Sequence, residues 1–293
     1  MKGIILAAGY GTPFLPITKC VPKEMLPLID RPIIDIIVQE FLDSGIQEIL
    51  MITSRRKKTM EDYFDRELEM EWLFGKENEV AKLKTLMRAS ELADIHFLRQ
   101  KELYGSGHAI YLARRFIAGE TFAVAYPGDL FLSKKPAIKQ LLDTFEQTGK
   151  HVLGAAPLVD SESSQRYSVL HLENVKGIDY VDDIAEKPLP GSFEGKHILA
   201  GRFIFKPDII PVFRRLLQRP KPGDLVFQTD AIKVLGKREV VATRIEGDRL
   251  DISTPFDYVK SVTKYALWRD ESGEYRRYLN DLVKKAKAED IAR

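Results

Sequence analysis

Along the first half of the chain, apolar residues come in short runs separated by stretches where they recur every three or four positions. Gly3–Leu6, Glu48–Ile52, Asp94–Leu98 and Phe122–Ala125 are such runs. Short apolar runs of this kind predict strands covered on both faces. Between them, Ile34, Ile37, Val38, Phe41 and Leu42 form a stripe within Ile33–Ser44, and Ala109, Ile110, Ala113 and Phe116 form another within Ser106–Ile117. That spacing predicts helices. Strand–helix–strand alternation implies parallel pairing through right-handed crossovers, in a Rossmann-like three-layer α/β/α sandwich. The second half is more mixed. Strands are expected near Val152–Leu158, Tyr167–Leu172, Asp179–Ile184, His197–Phe205 and Glu239–Ile245, with helices at Asp208–Gln218 and Gln228–Leu235. The expected fold class is α/β, with a mixed, mainly parallel central sheet. From Pro255 the chain is helical by propensity, breaks at Glu271-Ser272-Gly273 and ends in a charge-rich tail over residues 284–293. One domain over residues 1–264 and a C-terminal helical extension over 265–293 are therefore expected.

Charge changes this picture by exclusion. The 45 basic and 43 acidic side chains leave a net charge of +2, so no broad field attracts polyanions and nucleic acid is not an expected partner. At 44% apolar and 30% charged residues, the composition is that of a soluble globular protein. Cys20 is the single cysteine, which rules out an intrachain disulfide and fits a reducing, cytoplasmic setting. Gly9 and Gly11 interrupt the first apolar run after one strand length, and no run reaches the ~18 residues of a membrane span.

The chemistry concentrates where strands end, because ligands of parallel α/β sheets sit beyond the carboxyl ends of the strands. The run Ile4-Ile5-Leu6 breaks into Ala7-Ala8-Gly9-Tyr10-Gly11-Thr12, with Lys19 and Lys23 following. Small residues and glycines after a buried strand leave backbone N–H groups facing outward, a cradle for a phosphate chain. A nucleoside triphosphate is the expected ligand. Asp129 follows an apolar strand and a Pro-Gly turn. It reads either as a Mg²⁺ ligand over that phosphate site or as an ordinary turn aspartate. Asp251, taken alone, flanks a helix that Thr254 caps and Pro255 begins. Glu186-Lys187 ends a strand, where such pairs are commonly solvated. Gln100 stands at another strand end before the glycine turn Gly105-Ser106-Gly107, and its amide can donate and accept at once. Asp230 either shapes a pocket or caps a helix.

The opening segment resembles the signature L-A-A-G-x-G-T-R-x-x-P-x-T-x-x-x-P-K of the sugar-phosphate nucleotidyltransferases. Lys23-Glu24-Met25-Leu26-Pro27 is similar to the form found in the bacterial UTP–glucose-1-phosphate uridylyltransferases, and the likeness runs from Lys2 to about Lys264. The resemblance implies a Mg²⁺-dependent enzyme that joins UTP and glucose 1-phosphate into UDP-glucose, working as a homo-oligomer, dimer or tetramer. It implies nucleotide contacts from Leu6, Ala7, Ala8, Gly9, Gly11, Thr12, Lys23, Glu24, Gln100 and Gly105. Sugar-phosphate contacts are implied for Glu186, Lys187 and Gly201, and for Ser168, which replaces a motif glycine. Asp129 and Asp251 become the metal ligands, and Lys23, Asp129 and Lys187 the catalytic set. In three further places the chain departs from the family. Pro13 replaces the motif arginine and so removes a donor to the triphosphate, Ser253 replaces a glycine, and Gln228 is displaced by one position. These departures motivate the rival reading, a non-catalytic nucleotide-sugar-binding homologue that regulates an active paralogue.

Overall fold

Ile4 and Ile5 are adjacent and both fully buried, yet they belong to different apolar clusters. Successive strand residues point to opposite faces, so this pair marks a sheet covered on both sides. The computed structural model describes residues 1–160, 162–218, 225–236 and 238–288. Its strands are β1 (Lys2–Leu6), β2 (Pro27–Leu28), β3 (Arg31–Pro32), β4 (Glu48–Thr53), β5 (Asp94–Arg99), β6 (Phe122–Ala125), β7 (Asp129–Leu132), β8 (His151–Pro157), β9 (Ser168–Val175), β10 (Ile178–Glu186), β11 (His197–Phe205), β12 (Val240–Arg244) and β13 (Asp248–Asp251). Its helices are α1 (Ile33–Asp43), α2 (Lys58–Phe64), α3 (Leu68–Lys76), α4 (Val80–Met87), α5 (Ser106–Leu112), α6 (Arg114–Ile117), α7 (Ala137–Thr148), α8 (Ile209–Leu217), α9 (Gln228–Leu235), α10 (Pro255–Arg269) and α11 (Glu274–Ala288).

The main sheet has the order β5-β4-β1-β6-β11-β8-β12-β10-β9. One of its faces is covered by apolar residues of α1 and α7, the other by those of α5, α8 and α9. β4, β1, β6 and β5 pair in parallel, as strand–helix–strand alternation requires. The expectation of a mainly parallel sheet needs correcting beyond them. β6–β11, β8–β11, β10–β12 and β9–β10 are antiparallel, and only β8–β12 is parallel in that half. At the β9–β10 pair a short connection replaces a crossover helix: the two strands are joined by Lys176-Gly177, both at positive φ, the geometry of a tight hairpin.

Two small pairings complete the frame. β2 pairs with β3, and β7 pairs antiparallel with β13, bringing the segment after β6 against a segment more than a hundred residues later. α10 begins at Pro255 with the Thr254 hydroxyl accepting from the Asp257 N–H at 3.2 Å. The helix runs unbroken through Lys264 to Arg269, so the change of element falls at residues 270–273 and not at 264/265. The last five residues of the charged tail lie outside the described residues. Among the described residues, no helix is long and apolar enough to cross a membrane.

Candidate active site

At the carboxyl end of β1 the chain leaves the sheet with one last ladder bond, the Ala7 N–H donating to Ile52 O at 2.9 Å. The N–H groups of Gly9, Tyr10 and Gly11 then donate to no described residue. Gly11 has φ 67, which suits glycine, and the Thr18 hydroxyl donates to its carbonyl at 2.9 Å, fixing the turn from inside. Lys23 lies in a short 3₁₀ turn (Lys23–Met25), and a Cβ placed on Gly128 would stand 3.3 Å from its Nζ. The ammonium therefore reaches over the turn that carries Asp129. Beneath it Glu24 and Lys57, both nearly fully buried, form an ion pair at 2.5 Å. Burial lowers the Lys57 pKa below that of an ordinary lysine, and Glu24 opposes the shift.

This loop forms one wall of a cavity of about 520 Å³. Leu6, Ala8, Gly9, Lys23 and Glu24 line it from the β1 side, and Gln100 and Gly105 from the β5–α5 connection. Asp129, Ser168, Glu186, Lys187, Gly201 and Asp251 line the rest. Ala7, Gly11 and Thr12 do not: Ala7 is buried beneath the loop, while Gly11 and Thr12 lie further out along it.

The opposite wall is charged. Asp129 and Asp251 stand directly across from one another in the β7–β13 register. Arg249 lies two residues before Asp251 and so shares its face of the strand. Its Nε donates to Asp129 Oδ1 at 2.6 Å, its Nη2 is 3.8 Å from Asp251 Oδ1, and its guanidinium lies 4.6 Å from the Tyr167 ring centre. Burial disfavours that guanidinium, but the two carboxylates more than offset it, so its pKa stands above that of an ordinary arginine. Asp251 Oδ2 also accepts from the Tyr167 hydroxyl and from Arg166 Nη2 at 3.1 Å, and Oδ1 accepts from the Ser253 N–H at 3.0 Å. Asp129 Oδ2 accepts from no described residue. A Cβ on Gly201 would come within 2.7 Å of that oxygen, and Gly201 has φ 59 inside an irregularity of the β8–β11 register. Only glycine leaves this carboxylate oxygen uncovered.

Further along the cavity, Ser168 and Glu186 are opposed in the β9–β10 register, and the serine hydroxyl donates to Glu186 Oε2 at 2.5 Å. Lys187 follows with φ 45 and an exposed side chain that has no ion-pair partner among the described residues. A non-glycine residue in that region, next to a proline, is a strained arrangement of the kind found at ligand sites. At the other end the Gln100 amide nitrogen donates to Gly105 O at 3.1 Å and lies 3.2 Å from His108 Nδ1. Gly105 has φ 92, and a Cβ there would collide with Val226 O at 2.3 Å. Burial lowers the His108 pKa, which leaves its ring able to accept that bond.

The residues whose local sequence allows two roles take definite positions. Asp230 is a helix cap, accepting the Phe227 N–H at 2.8 Å at the start of α9. Displaced Gln228 still lines the cavity, where its Oε1 accepts from the Tyr126 hydroxyl at 2.8 Å and from the Ser106 hydroxyl. Pro13 is exposed outside the cavity. Arg249, Arg166 and Tyr126 all line it, although no motif singles them out. The period of two along a strand, which puts Arg249 on the same side as Asp251, is the available signal for the first. Arg166 and Tyr126 carry no comparable signal, because their roles depend on which distant segments meet.

Known proteins share this fold and much of this sequence. A family model described as nucleotidyl transferase matches residues 2–270. UTP–glucose-1-phosphate uridylyltransferase 2 of Staphylococcus saprophyticus is 41% identical over 273 residues, covering 92% of this chain and 93% of its own. UTP–glucose-1-phosphate uridylyltransferase YngB of Bacillus subtilis is 37% identical over 97% of this chain and 96% of its own. Among solved structures, a UDP-glucose pyrophosphorylase complexed with UDP-glucose superposes with a TM-score of 0.79 at 30% identity, covering 92% of this chain and 99% of that one. A UTP-bound relative from Acinetobacter baumannii superposes with a TM-score of 0.81 at 26% identity, covering 95% of this chain and 97% of that one. The chain belongs to the nucleotidyl transferase family, and within it to the UTP–glucose-1-phosphate uridylyltransferases.

Proposed function

We propose that the chain joins UTP to glucose 1-phosphate in a Mg²⁺-dependent transfer, releasing pyrophosphate and leaving UDP-glucose. A phosphate oxygen of glucose 1-phosphate attacks the α-phosphorus of UTP, and the bond from that phosphorus to the bridging oxygen breaks in line. Pyrophosphate leaves with the electron pair, and no covalent enzyme intermediate forms. Positioning and charge neutralisation supply the rate. The loop N–H groups of Gly9 and Gly11 and the Lys23 ammonium hold the triphosphate, with Leu6, Ala7, Ala8, Thr12 and Glu24 shaping the loop. Gln100 and Gly105 receive the base. Glu186 and Gly201 hold the sugar, Ser168 orients Glu186, and the unpaired Lys187 ammonium aligns the attacking phosphate.

Asp129 and Asp251 are assigned as the metal ligands. Opposed carboxylates with one uncovered oxygen suit a hard cation that completes its shell with phosphate oxygens and water. Among the described residues no group of three or more His, Cys, Asp or Glu stands ready for a closed metal site, in keeping with a shell that substrate completes. When bound, the cation would screen phosphate charge and orient the α-phosphate. The reading rests above all on Asp129 facing Asp251 in one cavity, with the Lys23 ammonium against the adjoining Gly128.

The Rossmann-like description applies in this reading to the β5-β4-β1-β6 half that carries the nucleotide. The catalytic body runs through α10 to Arg269, and α11 is the C-terminal helical extension. The exposed Phe256, Val259 and Trp268 on α10 offer a contact surface for a homo-oligomer, dimer or tetramer, in the cytoplasm. The non-catalytic alternative gains nothing from relatives that bear an enzyme's name. A pyrophosphate-release assay with UTP, glucose 1-phosphate and Mg²⁺ tests the proposal. Turnover should fall ~10³-fold in Asp129→Ala, a loss of several kcal/mol of transition-state stabilisation. Tight UDP-glucose binding with no turnover in the parent protein would favour the alternative.

A further inference from the structure

A second cavity, of about 990 Å³, adjoins the first and shares Gln100 and Leu103 with it. Its lining includes four cations, Arg55, Arg56, Arg99 and Lys101, together with Tyr10, and among the described residues contains no carboxylate. The cations converge from two neighbouring strand ends. Thr53 and Arg99 are in register across β4 and β5, so Arg55 and Arg56 leave the sheet beside Arg99 and Lys101. All four are exposed, and none makes an ion pair with a described residue. Some surface arginines, such as Arg66, Arg244 and Arg269, are held by a carboxylate and others, such as Arg115, Arg214 and Arg215, pair with no described residue, so what sets these four cations apart is their convergence on one concavity. Nor does net charge explain it, since acids and bases nearly balance over the whole sequence. Four like charges around one concavity repel one another, and an anion relieves that repulsion. Arginine forks favour phosphate, which they grip through paired N–H bonds. Tyr10, 64% exposed, adds an aromatic face at the rim.

We infer that this cavity is a phosphate-binding site distinct from the Asp129–Asp251 cleft, taking a ligand with two or more phosphate groups. Such a ligand is either the terminal phosphates of UTP, extending from the Gly9–Gly11 turn past Tyr10 into this cavity, or a separate phosphorylated molecule that acts on the nucleotide pocket through the shared wall. The inference rests on the proposed function only for the placing of the nucleotide.

The test uses the full chain and the variant Arg55→Gln/Arg56→Gln/Arg99→Gln/Lys101→Gln, with calorimetric titration of UTP, of UDP-glucose, and of inorganic tripolyphosphate onto protein saturated with UDP-glucose. Thermal melting verifies folding, and the milder Arg55→Gln/Arg56→Gln pair gives a second reading should the fourfold variant melt early. If the nucleotide's own phosphates occupy the cavity, UTP binding weakens about 10-fold or more while UDP-glucose binding holds within about 2-fold. If a separate ligand does, tripolyphosphate binds the UDP-glucose-saturated parent and this binding falls about 10-fold in the variant, UTP binding being unchanged. Binding of all three probes by the variant as by the parent would overturn the inference. Because no arm measures turnover, an inactive enzyme would refute the proposed function without touching this site.

Discussion

Across the cleft, the turn after β1 offers backbone, whereas the β7–β13 pair offers charge, and the two are held in place by different means. The glycine turn has unpaired N–H groups at its surface, and its rigidity comes from below, from the buried Glu24–Lys57 pair and the Thr18 bond to Gly11. The carboxylates of the facing wall are engaged by the chain's own cations, Arg249 and Arg166, and by the Tyr167 hydroxyl. One wall is thus ready for an anion as it stands. To take the proposed cation, the other would exchange an internal partner for an external one, and Asp129 Oδ2 is the carboxylate oxygen of this pair that no described residue engages.

The largest expected effect breaks the support under the first wall. Lys57→Met strands Glu24 as a buried, unpaired charge, so unfolding in urea should show a loss of ~3–5 kcal/mol. Pairing it with Glu24→Leu should restore most of the loss, and a double variant as unstable as the single one would mean the pair is not the support. Acid tests whether stability is lost outside both walls. Burial lowers the pKa of His151 from 6.5 to about 4, against the pull of Asp208. A folded-state pKa below the unfolded one makes the contribution complete above pH 6.5, and it disappears as pH falls towards 4. Stability should drop by up to ~3 kcal/mol over that window, and His151→Gln should flatten the profile. An unchanged profile would place the acid sensitivity elsewhere.

Two smaller changes probe the charged wall. Gly201→Ala puts a methyl group against Asp129 Oδ2 at a left-handed φ, so melting should report a loss of ~1–3 kcal/mol together with reduced turnover. A fully active variant would show that the uncovered oxygen is not needed. Arg249→Met removes the internal counter-charge, and Mn²⁺ titrated without nucleotide should bind about 10-fold tighter, detectable by its spin-resonance signal. Equal or weaker Mn²⁺ binding would separate the guanidinium from the cation's place.

The legible parts of the fold were those whose burial leaves a periodic or uniform trace. β1, β4, β5 and β6 appear in the sequence as apolar runs, because strands covered on both faces need no polar side. The helices α2, α3 and α4, between residues 58 and 87, left little trace, being largely exposed with only a narrow apolar edge. β7 and β13 are too short for alternation to stand out, and their charged positions look like loop residues until the two strands pair. That pairing is also why the meeting of Asp129 and Asp251 was expected from resemblance alone, with nothing in either segment to indicate it. Asp230 shows the same limit from the other side: a cap and a pocket acid carry identical local sequence, and only the Phe227 N–H distinguishes them.

Gln100 carries a chemical consequence of its own. With both hydrogens of its amide directed inwards, to Gly105 and His108, it can show a nucleobase only lone pairs. Uracil, which has a hydrogen on N3, is welcome at such an edge; cytosine, bare at that atom, would meet like against like. In the proposed placing of the base, a single loop closed on itself would therefore favour UTP over CTP at N3.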